Sequence, residues 1–173
     1  MVHGNLANFN LNTFDLFSSG RVLLTAGDID NRNSMTISWG MLGRLFNKNV
    51  VIVFVKKSRF TKHLMDSVDR FTLSFLSEKY QDEINYMGTH SGKDINKYEK
   101  TGLTPIYDTD TKVSYIKQSD FVFKVKKIMQ VELDNKDILD PSIIEKFYSK
   151  DLSDNHTAYI AEITSFLVKE DEI

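Results

Sequence analysis

The sequence predicts a mainly β protein with peripheral helices, built on an antiparallel sheet packed into a barrel or sandwich. Three observations point there. The chain is aromatic-rich and proline-poor, with 12 Phe and 7 Tyr against 2 Pro in 173 residues, a composition suited to pleated, half-buried surfaces. Several segments alternate apolar and polar residues with the period of two that a strand requires. Residues 50–55, VVIVFV, form a β-branched run too short for a membrane span and suited to a strand buried on both faces. The length fits one domain with a sizeable core.

In chain order, residues 1–20 are polar and Asn-rich, with Phe9, Leu11, Phe14, Leu16 and Phe17 scattered among them. They predict an arm packed loosely on the body or on a partner, leaving 21–173 as a single domain. Residues 21–27, RVLLTAG, predict a strand ended by glycine, and 28–32, DIDNR, a polar turn. That turn lacks the glycine and distal glutamate of a calcium loop. Residues 33–40, NSMTISWG, read as a half-polar strand, since Met35 and Ile37 alternate with Ser34, Thr36 and Ser38. Residues 41–49 form a connector, and the buried run 50–55 follows.

Ser58 is a good helix N-cap, and Phe60, Leu64 and Val68 recur at helical spacing. Residues 70–76 alternate as a strand. Ser77 then caps a helix whose stripe is Tyr80, Ile84 and Met87 and whose stop is Gly88. The loop 89–94 leads into a short helix capped by Asp94 and carrying Lys97, which shares a side with Lys93. Gly102 and Pro105 end that segment. Residues 113–117 and 120–133 predict strands. The longer one sets Phe121, Phe123, Val125, Met129, Val131 and Leu133 on one face, with Lys124, Lys126, Gln130 and Glu132 on a solvated one. Lys127 falls on the apolar face, where it either snorkels or marks a bulge. Residues 134–155 are a polar excursion with an apolar cluster at Ile143, Ile144, Phe147 and Tyr148. Residues 156–168 are a last strand or strand pair, and an acidic tail follows.

Three stretches carry candidate chemistry, each with a plain structural alternative. The first turn after Ser58 offers free amides, Arg59 and the Thr61 hydroxyl at the positive end of a helix, a set that suits an anion as well as an ordinary capped helix. The hydroxyl-rich strand ending in Trp39 and Gly40 suits a planar, polar-edged ligand or a solvent-facing edge with a Trp plug. The loop Ser91-Gly92-Lys93 with Lys97 offers a hydroxyl and two ammonium groups, or two solvated lysines. It is not a triphosphate-binding loop: Gly88 and Gly92 are three residues apart, and Asp94 stands where Ser or Thr is needed.

Other chemistries are excluded. The chain has no Cys, so disulfides, thiolate metal sites and a cysteine nucleophile are ruled out, and a reducing cytoplasmic setting fits. Its four His are scattered, with no metal-ligand spacing, no G-x-S-x-G elbow and no G-x-G-x-x-G fingerprint. The net charge of −2 gives no pull toward nucleic acid or anionic membrane. No run reaches the ~20 residues of a membrane helix, and no basic-then-apolar signal pattern opens the chain. An enzyme of this composition has no catalytic side chain of its own to offer, so a bound cofactor must bring the reactive atoms.

Read together, LLTAG (23–27), NSMTISWG (33–40), the buried strand leading to SRFT (58–61), GTHSGKDINK (88–97), TGLTP (101–105) and DNHTAYIAEI (154–163) resemble, in order, the flavin reductase-like family, including its flavoredoxin-type members. The resemblance spans about residues 21–168. It implies an antiparallel split β-barrel of the FMN-binding type, a homodimer with one FMN per subunit near the interface, and NAD(P)H as electron donor to a small-molecule or protein acceptor. By matching position, Asn33, Ser34, Met35, Thr36, Ser38, Trp39 and Gly40 would lie along the isoalloxazine. Ser58, Arg59, Phe60 and Thr61 would take the phosphate, with Ser91, Gly92, Lys93 and Lys97 closing over the phosphate or ring edge. His156 and Phe166 would lie near the exposed ring face. The sequence departs from the family pattern at Ala161, where Gly is common, and at Phe46 and Asn49, where Trp and Pro are frequent.

Overall fold

A computed structural model describes residues 1–170; the last three residues of the acidic tail lie outside the described residues. Ten strands and five α-helices follow one another as β1 (Val2–His3), α1 (Thr13–Ser18), β2 (Val22–Gly27), β3 (Arg32–Ile37), β4 (Gly40–Leu45), β5 (Lys48–Lys56), α2 (Phe60–Ser67), β6 (Arg70–Phe75), α3 (Gln81–Thr89), α4 (Lys97–Thr101), β7 (Pro105–Asp108), β8 (Val113–Ile116), β9 (Phe121–Glu132), α5 (Pro141–Tyr148) and β10 (His156–Val168).

The main sheet runs β3-β2-β6-β9-β10-β5-β4, every pair antiparallel. β10 is the long shared strand. Residues 156–162 pair with β5, Val168 and Leu167 pair with β1, and β9 accompanies it along its whole length. Register shifts in the β9–β10 pair, between Ile160 and Ala161 and between Ile163 and Ser165, bend these strands and curl the sheet. β3 and β4 end the hydrogen-bonded order and do not pair with one another. The barrel is therefore split. Inside it pack Val22, Leu24, Val51, Val53, Val55, Phe71, Phe75, Phe123 and Tyr159. A second core of Leu23, Leu76, Ile84, Met87, Leu103 and Ile116 fastens α3 and the β7–β8 hairpin to the outer face of β2.

Several expectations are corrected. Residues 1–20 do not pack loosely: Phe17 is a core residue, and Phe9 meets Phe121, Phe123 and Phe166 edge-on at 5.3–5.7 Å. Residues 41–49 are a hairpin, not a connector. Its two-residue turn places Phe46 (φ 50°) and Asn47 (φ 59°) in the left-handed region, as a primed turn requires, but without the Asn-Gly pair that would announce it. The run 50–55 is not buried on both faces throughout, since Ile52 and Phe54 face outward and are half-buried. The helix after β5 is capped at Arg59, with no side-chain cap bond, rather than at Ser58. The short helix near 97 is capped by Asn96, whose Oδ1 accepts the Tyr98 N–H at 3.2 Å, rather than by Asp94. Ser77 precedes a 3-10 turn and makes no cap bond, and α3 runs past Gly88 to Thr89. In β9, Lys124 is buried and ion-paired with Asp108, not solvated. The first β9 shift leaves Ile128 unpaired, so the strand exchanges faces there. Met129 and Val131 accordingly emerge exposed, while Phe121, Phe123 and Val125 stay in the core. Lys127 sits at that bulge and donates to the Met65 carbonyl.

Candidate functional site

The opening of the barrel is a cleft of about 620 Å³ between β3 and β5. Met35, Thr36 and Ile37 of β3 and the following Ser38 and Trp39 form one wall, and Phe54 and Lys56 of β5 another. Arg59, at the start of α2, and His156, at the start of β10, reach it from below. The end of α5 and the loop after it close the far side with Phe147, Asp151 and Asp154. Trp39 and the turn of chain at Arg59 thus face one shared cavity.

Trp39 is held rather than loose. Its ring lies 4.6 Å from that of His156 at 31°, and Phe147 meets it edge-on at 5.0 Å. Trp39 is still 37% exposed, which leaves apolar surface for a flat ligand. The Arg59 guanidinium has no ion-pair or hydrogen-bond partner among the described residues, although the residue borders the cleft. His156 is buried, and its imidazole is pushed down to about 4, first by burial and then by the nearby Lys56 and Arg59 charges, with Asp154 opposing. It is neutral at physiological pH.

Ser58 does not offer its donors to a ligand. Its N–H and hydroxyl both donate to the Asp154 carboxylate, at 2.8 and 2.9 Å, and Lys56 Nζ stands 3.6 Å from the same group. Gly40 serves packing instead of ligand approach, because a Cβ there would sit 2.3 Å from the Phe17 ring. Phe60 packs against the core.

The hydroxyl row of β3 is likewise spent inside the protein. Ser34 Oγ lies 2.7 Å from Thr25 Oγ1 and 2.9 Å from the Tyr98 hydroxyl, and Thr36 donates to the Ile84 carbonyl at 2.5 Å. Asn33 donates to Thr61 Oγ1 at 2.8 Å, and both are buried. Gly92 lies so close that a Cβ would fall 2.0 Å from Asn33 Oδ1. These contacts explain why the segments around 33, 61 and 92 meet at one point: they are welded to each other.

Lys97 is 3% exposed. Its ammonium donates to the carbonyls of Ser34 at 2.6 Å and Met87 at 2.8 Å, and no carboxylate pairs with it among the described residues. Burial, and then the positive charge of Arg59, lower it to about 8. With Arg32, Asn33, Gly92, Lys93 and Tyr98 it borders a second pocket of about 420 Å³. The expected site residues therefore fall on two adjacent pockets, one lined by 35–39, Arg59 and His156, the other by Asn33, Gly92, Lys93 and Lys97. Lys93 is exposed, so it and Lys97 do not act as a solvated pair. Ser91 is also exposed and accepts the Lys93 N–H at 3.2 Å.

Phe166 is not brought to the cleft of this chain. It packs with Phe9, Phe121 and Phe123 ten residues along β10 from His156, about 33 Å at the rise of a strand. Conversely, sequence reasoning passed over Lys56, Tyr98, Phe147, Tyr148 and Asp154 as site residues. The one signal for two of them was the apolar cluster in the 134–155 excursion, which has no periodicity tying it to Trp39.

A family model described as a flavin reductase like domain matches residues 14–173. The chain belongs to the flavin reductase-like family. This flavin reductase-like chain shares its split-barrel fold with solved structures. It is similar to a flavoredoxin from Methanosarcina acetivorans (TM-score 0.70, 17% identity, 96% of this chain and 77% of that one). It is also similar to the flavoredoxin of Desulfovibrio vulgaris (Miyazaki F) (0.69, 22%, 98% and 78%). A third is the NADH:FAD oxidoreductase of Streptomyces globisporus C-1027 (0.64, 11%, 87% and 75%). Among curated proteins no match is found. The family match begins at residue 14, inside α1, so it takes in the last part of the expected arm.

Proposed function

We propose that this chain is an FMN-dependent oxidoreductase that takes hydride from NAD(P)H and passes electrons to a small-molecule or protein acceptor. The observation that carries the reading is the shared cleft: an exposed indole face and an unpaired guanidinium border one cavity at the split of a flavin reductase-like barrel. The residues present fit FMN, because Arg59 lacks a counter-charge and the flavin phosphate supplies one. When bound, the flavin brings the hydride-accepting and electron-donating chemistry.

The chain's own residues bind and orient. Trp39, held by His156 and Phe147, offers a flat apolar wall to the ring. Arg59 pairs with the phosphate. Lys97, fixed on β3 by two carbonyls, contributes a buried positive charge that tunes the ring's environment. His156 faces the cleft as a neutral imidazole. None of these residues exchanges a covalent bond with substrate.

The same reading includes a homodimer. Met41, Ile52, Ile160 and Met129 are direct cross-strand neighbours on β4, β5, β10 and β9, and the two end members are 52% and 46% exposed. An apolar row across four strands, beside the exposed Trp39 and Val131, is the kind of face a second copy covers. No helix of the described residues is long and apolar enough to cross a membrane. The cysteine-free composition is in keeping with a cytoplasmic location.

Purified protein mixed with FMN and then with NADH or NADPH under anaerobic conditions tests the reading. Bleaching of the bound flavin by either nicotinamide supports a reductase. The likeness to flavoredoxins favours a second reading, an electron carrier or flavin store without turnover of its own. Bound FMN that neither nicotinamide reduces supports that one. Absence of FMN binding contradicts both.

A further inference from the structure

Tyr148 is the last residue of α5 and is 3% exposed. Its hydroxyl lies 2.8 Å from Nδ1 of His156, with the two rings edge to face at 84°. This bond is the hydroxyl's sole contact of its kind among the described residues. The neighbouring Phe147 closes edge-on upon Trp39. Two consecutive side chains of one helix thus brace the two stacked rings of the cleft, Phe147 the indole and Tyr148 the imidazole. The helix end is itself pinned, since Lys56 Nζ donates to the Phe147 carbonyl at 3.2 Å and stands 5.5 Å over the Tyr148 ring. At the other end Asp140 accepts the Ser142 N–H at 2.9 Å.

The direction of the Tyr148–His156 bond follows from its partners. A phenol oxygen is a poor acceptor, because its lone pair conjugates into the ring. A neutral imidazole nitrogen is a good acceptor, and a phenol O–H a good donor. The hydroxyl therefore donates to Nδ1, and the imidazole proton resides on Nε2.

We propose that Tyr148 is a positioning residue that holds His156 as the Nε2–H tautomer, so that the free ring nitrogen is an N–H donor to a carbonyl oxygen of the planar ligand in the cleft. The identity of that ligand rests on the flavin reading; the tautomer does not. Nothing in residues 140–148 suggests this role from sequence alone, because the hydroxyl and the imidazole come from different elements.

The test is nitrogen NMR of histidine-labelled full-length protein without flavin, comparing wild type with Tyr148→Phe. The expected wild-type signature is an unprotonated Nδ1 and a protonated Nε2 for His156, and Tyr148→Phe moves both resonances toward the tautomer average. A wild-type His156 protonated on Nδ1, or resonances that Tyr148→Phe leaves in place, overturns the proposal. The wild-type spectrum decides the direction even if the variant does not fold. With flavin added, Tyr148→Phe is expected to weaken FMN and riboflavin by the same factor, about threefold to tenfold, since a bond to the ring is lost and none to the phosphate. Unchanged affinity for both overturns the donor role. Wild-type protein with the expected tautomer that binds neither flavin overturns the flavin reading and leaves the Tyr148–His156 pairing standing.

Discussion

Replacing Arg59 by Ala removes a cation that stabilises nothing visible in the fold. Arg59 is the N-cap of α2 but makes no side-chain cap bond, and it is exposed. The variant should therefore unfold within ~0.5 kcal/mol of wild type. Toward a phosphate the same side chain offers a charge-assisted bond worth about 1.5–3 kcal/mol. At 1.4 kcal/mol per tenfold, FMN affinity should drop by roughly 10- to 150-fold. Riboflavin has the same ring and no phosphate, so its affinity should move less than about twofold. Lys97 adds an internal check. Burial and then the Arg59 charge hold it at about 8, so removing the guanidinium should let it titrate higher. The assay is a pair of equilibrium titrations, FMN and riboflavin, followed by flavin absorbance on wild type and variant. Equal losses for the two flavins, or an FMN affinity that does not move, would refute the assignment of Arg59 to the phosphate.

Two further outcomes are expected. Asp108→Asn strands the buried Lys124 ammonium and should cost about 3 kcal/mol in urea unfolding. Burial alone would raise the Asp108 carboxyl, but Lys124 and the Thr111 bonds outweigh it and hold it at about 2. Below its unfolded value of 3.8, the unfolded chain takes up a proton before the folded one does. The stabilisation is thus complete above that pH and is lost as pH falls through about 2. Wild type should therefore lose more stability than the variant over that window, and parallel acid profiles would contradict the pairing. Met129→Glu places a charge at the exposed β9 end of the apolar row. Light scattering should show wild-type dimers and variant monomers with matching circular dichroism; a wild type that is already monomeric contradicts the dimer.

The fold was legible where a segment's pattern and its burial agree. β2, β6 and the first half of β9 alternate or run apolar, and the main sheet uses them as such. The pattern misled where a single backbone event intervened. The Ile128 bulge reverses the faces of β9, so Met129 and Val131 read as core and stand outside. The Phe46-Asn47 turn joins β4 to β5 without glycine, so a hairpin read as a connector. At the site, residue type announced polar groups but not their partners. Ser34, Thr36 and Thr61 looked like ligand hydroxyls and are bonded within the protein, while Ser58 gives its donors to Asp154, 96 residues away. Partnering over such distances has no local signature. Trp39, Arg59, Lys97 and His156 match family motifs by position. Trp39 keeps exposed ring surface, the Arg59 guanidinium and the Lys97 ammonium have no carboxylate partner among the described residues, and His156 borders the cleft as a buried, neutral imidazole.

Trp39 is the only tryptophan in the chain, so its emission reports on the cleft alone. Titrating the purified protein with FMN, with tryptophan emission and flavin absorbance recorded on the same sample, tests whether the flavin ring rests in the split of the barrel. Emission should be quenched in step with binding and saturate at one FMN per chain. FMN that binds while the Trp39 emission stays unchanged would contradict that placement.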